Sequence, residues 1–155
     1  MRVLISTAGT NTWVVASQVC GKPGSAPDCV SARGQTFNVN ASTSWKQNGG
    51  FRLGPNEWNL GYNAPAVFGL DSLSLGESNA TGGPTLSNQT VALMGTNSFY
   101  IGSFGLSNQP TNFTSLSNSE PSFLTSLRSK GLMPSVSWGY TAGAAYRMLH
   151  ACPLS

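Results

Sequence analysis

Polar and apolar residues alternate over short runs along most of this chain, and Gly, Pro, Asn or Ser interrupts each run within a few residues. A period-two pattern cut by turn formers predicts short, half-buried strands. Residues 3–5 and 12–16 are two β-rich runs flanking a small-residue turn at 6–11, and 20–29 reads as loop. Residues 35–39 and 50–53 alternate in polarity. Segments 57–61 and 67–75 look like a hairpin pair, with 62–65 in the bend. After a polar loop at 77–84, strands are expected at 90–94 and within 99–106. One stretch has helical spacing: 121–130, with Ser119 as N-cap, Pro121 in the first turn and Phe123, Leu124 and Leu127 on one face. Lys130 lies at its negative end, Gly131 stops it, and Val136 and Trp138 resume β character. Many short strands and one short helix, without an internal repeat, define an all-β domain.

Composition narrows the setting. The 155 residues are one domain's worth, and charged residues are only 8% of them, against roughly 25% in an average protein. Four Trp, four Tyr and seven Phe interleaved with hydroxyl and amide residues argue against disorder and for a secreted β-protein. The net charge of +3 comes from cations scattered between Arg2 and Arg147, so no basic patch points to nucleic acid. No apolar run approaches the ~18 residues of a membrane span. A single histidine, His150, and the lack of any His/Cys cluster leave no metal site, and no motif calls for a cofactor.

Cys20 and Cys29 bracket a Gly/Pro-rich decapeptide that suits a disulfide loop, two free surface thiols being the alternative; Cys152 has no obvious partner. Four N-glycosylation triplets begin at Asn40, Asn79, Asn88 and Asn112. Paired cysteines and low charge fit an oxidising, extracellular compartment. Residues 1–5 enter a strand at once, without the charged and apolar regions of a signal peptide, so a missing N-terminal piece is expected.

Candidate chemistry centres on Ser6-Thr7-Ala8-Gly9-Thr10-Asn11-Thr12-Trp13-Val14. This stretch resembles the active-site segment of pepsin-like aspartic proteases, Asp-Thr-Gly-Ser-Ser-x-Leu-Trp-Val. The likeness continues in order through Cys20…Cys29, Arg33-Gly34…Phe37-Asn38, Ala41-Ser42-Thr43-Ser44-Trp45, the 67–76 segment, the Gly-rich 100–106 segment and the 121–138 region. It covers 3–147, resembles the fungal secreted type, and matches the N-terminal lobe of that bilobal family. Residues 148–155 match nothing in it.

The resemblance implies one lobe of the acid-protease fold, a substrate cleft at Thr7, Ala8, Gly9, Trp13 and Tyr62, and a peptide or protein ligand. In the family each lobe contributes one Asp, and the pair activates a water molecule. Here Ser6 stands at the Asp position, no second Asp-Thr/Ser-Gly occurs, and the second lobe is missing from the match. A neutral hydroxyl cannot serve as a carboxylate base, so no proteolysis is expected. Ser6 as a nucleophile would need a base and an orienting partner that the sequence does not supply. The alternative is a secreted, non-enzymatic pseudoprotease that binds peptides or another protein. Asp71 is expected to cap a turn, Tyr62 to be a flap or hairpin aromatic, and Trp13, Trp45, Trp58 and Trp138 to be core or cleft wall rather than carbohydrate-stacking platforms.

Overall fold

The computed structural model describes residues 1–52, 65–76, 83–96, 100–112 and 119–139. Within these, the chain is mostly β, as its alternation predicts. The strands are β1 (Val3–Ser6), β2 (Trp13–Val15), β3 (Lys46–Arg52), β4 (Pro65–Ser74), β5 (Thr85–Met94), β6 (Gly102–Gly105), β7 (Thr111–Asn112) and β8 (Ser119–Glu120). Two α-helical segments join them, α1 (Cys29–Ala32) and α2 (Phe123–Ser129).

Six strands form one mixed sheet in the order β1-β6-β2-β5-β4-β3, while β7 and β8 pair separately. β6 runs parallel to β1 and antiparallel to β2, and so lies between two strands that are consecutive in sequence. β2 is parallel to β5, and β5-β4-β3 is an antiparallel meander. Every residue of β2 is buried, which requires cover on both faces of the sheet.

On one face Leu86 and Phe104 pack with Phe123, Leu124 and Leu127 of α2, and the Phe104 and Phe123 rings meet edge to face at 5.0 Å. The other cluster gathers Val14, Ala16, Val91 and Leu93, with Phe37, Trp45 and Val67 packed against it.

Several elements differ from the sequence expectation. β3 begins at Lys46, and β4 lies between β3 and β5; residues 57–61, expected to pair with 67–75, lie outside the described residues, as does most of the expected bend at 62–65. The 35–39 run is not a strand. Gly34 and Gln35 both have positive φ, 70° and 77°, which breaks extended backbone. Phe37 keeps a single bridge to Ala16, and Val39–Ala41 is one 3₁₀ turn.

The helix starts two residues later than expected. Ser122, not Ser119, caps it, its Oγ accepting from the Thr125 N–H at 3.2 Å, while Ser119 pairs with Asn112 in the small sheet. Its C-terminus follows the expectation: Gly131 has φ 69° and donates to Arg128 O, and Leu132 donates to Leu127 O. These paired bonds close a Schellman motif that only a residue tolerant of positive φ completes cheaply. Val136 and Trp138 do not form a strand. After Pro134 the chain turns locally, with Ser137 N–H bonded to Ser135 O and their hydroxyls 2.6 Å apart.

Cys20 and Cys29 are joined in a disulfide, with Cα atoms 5.6 Å apart. Cys29 opens α1, so the expected loop ends in a helical turn. Among the described residues, no helix is long and apolar enough to cross a membrane.

Candidate functional site

The segment that links β1 to β2 is held in place by the strand between them. Leu106 N–H donates to Ser6 O at 2.9 Å, Ser107 N–H to Gly9 O at 3.1 Å, and Gly105 N–H to Thr12 Oγ1 at 3.3 Å. From further away, Thr111 Oγ1 donates to Thr10 O at 2.6 Å and Ala92 N–H to Thr12 O at 2.8 Å. Five bonds from three chain segments therefore fasten one short loop. Gly105 makes the close approach possible: a Cβ there would sit 2.8 Å from Gly9 O and 2.9 Å from Asn11 O, so any side chain would push the loop away.

Inside this loop Ser6 is half-buried, and its Oγ accepts from the Gly9 N–H at 2.9 Å. That bond closes a local turn of the kind Ser hydroxyls favour. Gly9 is buried, whereas Thr7 and Ala8 are exposed. Trp13 is buried in β2 with 3% exposure, so it is core rather than cleft wall. Tyr62 lies outside the described residues.

Asp71 takes a different place from the turn cap expected of it. It lies within β4 and is buried, on the same side of the strand as Val67 and Gly69, the side that Trp45 covers. Ser42 Oγ donates to both carboxylate oxygens, at 3.2 and 3.0 Å, Ser44 Oγ donates to Oδ1, and Ser72 N–H donates to Oδ1 at 2.7 Å. Ser42 Oγ in turn accepts from Ser44 N–H and Trp45 N–H. The carboxylate ties the 42–45 segment onto the sheet. Sequence spacing could not reveal this, because its partners lie 27 and 29 positions away.

A groove of about 340 Å³ opens beside Thr7, between Leu106–Asn108 and residues 136–138, with Leu124 of α2 in its wall. Of these, the sequence points to Thr7 as part of a cleft and to Trp138 as core or cleft wall. The others come from three separate segments, and contiguous patterning carries no signal for their convergence. Among the described residues, no three His, Cys, Asp or Glu side chains gather as metal ligands would.

Of the glycosylation triplets, Asn40 is exposed within the Val39–Ala41 3₁₀ turn, and Asn88 is exposed in β5 with φ 55°. There Ser87 and Asn88 together oppose Ser72, a bulge in which Asn tolerates the left-handed conformation. Asn79 lies outside the described residues, and Asn112 sits in β7 with the rest of its triplet outside them.

These features define a mostly β domain with one mixed six-stranded sheet and a loop pinned by an interposed strand. No protein-family model matches the chain, and no curated protein matches it either.

Proposed function

We propose that this chain is the N-terminal lobe of a pepsin-like aspartic endopeptidase homologue that does not itself hydrolyse peptides. The observation that carries the reading is the pinned loop. The segment with the likeness to the catalytic motif leaves β1, turns at Ser6–Gly9 and enters β2, and the Gly-rich segment crosses it as β6. That crossing supports the reading, although residues 136 and 138, where the resemblance implies a strand, form none.

Inactivity follows from chemistry. Water activation between two carboxylates depends on sharing one proton, so that one group acts as base while the other acts as acid. Ser6 Oγ carries no charge at ordinary pH and already accepts the Gly9 N–H. Asp71 is no substitute, since its oxygens are occupied by Ser42, Ser44 and Ser72.

A second reading is a secreted binding protein that holds a peptide or another protein without cleaving it. The exposure of Thr7 and Ala8 in the pinned loop favours it. Both readings place the chain outside the cell, where the Cys20–Cys29 bridge persists and the exposed Asn40 and Asn88 accept glycans.

The test is incubation with a denatured protein at acidic pH, with and without a peptide inhibitor that mimics the tetrahedral transition state. No cleavage is expected in either arm. Inhibitor-sensitive cleavage would overturn the assignment of inactivity. Saturable binding of that inhibitor without cleavage would favour the binding-protein reading.

A further inference from the structure

We propose that the groove beside Thr7 binds a neutral carbohydrate, with one sugar ring stacked on Trp138. None of the described residues lining it carries a charge. An ionic ligand would leave water there without a counter-charge, which is costly, so charged ligands are disfavoured. What the groove offers is matched to a sugar. Thr7, Ser107, Asn108 and Ser137 supply hydroxyls and an amide, which suit groups that both donate and accept. Leu124 and Val136 form an apolar wall for the C–H face of a ring.

Trp138 is 45% exposed at the rim, and the electron-rich face of its indole attracts the slightly positive C–H groups of a pyranose. Two donors stand ready. Thr7 Oγ1 and the Asn108 side-chain nitrogen bond to none of the described residues, although Asn108 Oδ1 accepts from Gln109. The volume, about 340 Å³, lies in the range of small-molecule sites, roughly 300–1,000 Å³. The inference does not depend on the protease reading, because Thr7 enters only through its hydroxyl.

The probes are maltotriose and triacetylchitotriose, with trigalacturonate as the charged counterpart and a neutral hexapeptide as the competing class. The readout is the Trp138 indole N–H resonance of nitrogen-15-labelled protein, assigned by its loss in Trp138→Phe. A saturable shift with at least one neutral trisaccharide is expected, with a Kd of order millimolar. Trigalacturonate should bind at least about tenfold more weakly, and Trp138→Ala should lose at least about tenfold in affinity, as seen by saturation-transfer from the sugar. Trp138 is half-exposed, so the circular dichroism of that variant should stay unchanged; if it does not, Asn108→Ala on the exposed rim replaces it, with the same expected direction. The proposal is overturned if no neutral trisaccharide gives a saturable shift, if binding survives loss of the indole or of the Asn108 amide, if trigalacturonate binds as tightly, or if only the peptide moves the resonance.

Discussion

A buried carboxylate with no cation beside it among the described residues needs hydrogen-bond donors, and Asp71 obtains them from two serine hydroxyls and one backbone N–H. Bonds to a charged acceptor are worth about 1.5–3 kcal/mol, against about 1 for a neutral pair. Asp71→Ala should therefore cost about 2–4 kcal/mol, since it strands the Ser42 and Ser44 hydroxyls and releases the 42–45 segment. Denaturant unfolding measures this; a loss under about 0.5 kcal/mol would show that the cluster is idle. Ser6 sets a contrast at the same scale. Its half-buried hydroxyl accepts from a neutral backbone N–H, so Ser6→Ala should cost only about 1 kcal/mol by the same measurement.

At the scale of the element, α2 shows how much a short helix relies on its ends. Seven residues are too few to be stable alone, so the buried stripe of Phe123, Leu124 and Leu127 and the two caps hold it together. Ser122→Ala should cost about 1 kcal/mol through the lost Thr125 N–H partner. Gly131→Ala should cost a similar ~1 kcal/mol, because the alanine must keep a positive φ. Far-ultraviolet circular dichroism and thermal melts read both. Ser119→Ala is the control: it should leave the melt within error, and a larger loss there than at Ser122 would reverse the assignment of the cap.

For the whole molecule, the sheet's outer edge and its disulfide decide behaviour in solution. β1 ends the six-stranded sheet, and its Leu4 and Ile5 are 56% and 59% exposed, one directed to each face. An apolar edge strand templates association, and a charge on it blocks that pairing. Ile5→Lys should lower light scattering on concentration without lowering Tm; unchanged scattering would mean that self-association lies elsewhere. Reducing Cys20–Cys29 should destabilise the fold by somewhat less than ~3 kcal/mol, the chain-entropy figure for a fifteen-residue loop. A melt with and without reductant checks it.

The sequence by itself determined that the protein is mostly β, where most described strands lie, that one helix carries Phe123, Leu124 and Leu127 inward, and that Gly131 ends it. Those features depend on period and end-residue chemistry, which neighbouring positions encode. Tertiary structure alone decided that β6 passes between β1 and β2, that Gly105 lets it touch the 6–11 loop, and that Asp71 is an anchor rather than a turn cap. It also decided that Gln35 leaves the extended region and that Thr7 shares a groove with Trp138. The physical reason is distance along the chain. Each of those outcomes except Gln35 is a contact between segments far apart in sequence, and its free energy appears only when packing has brought them together.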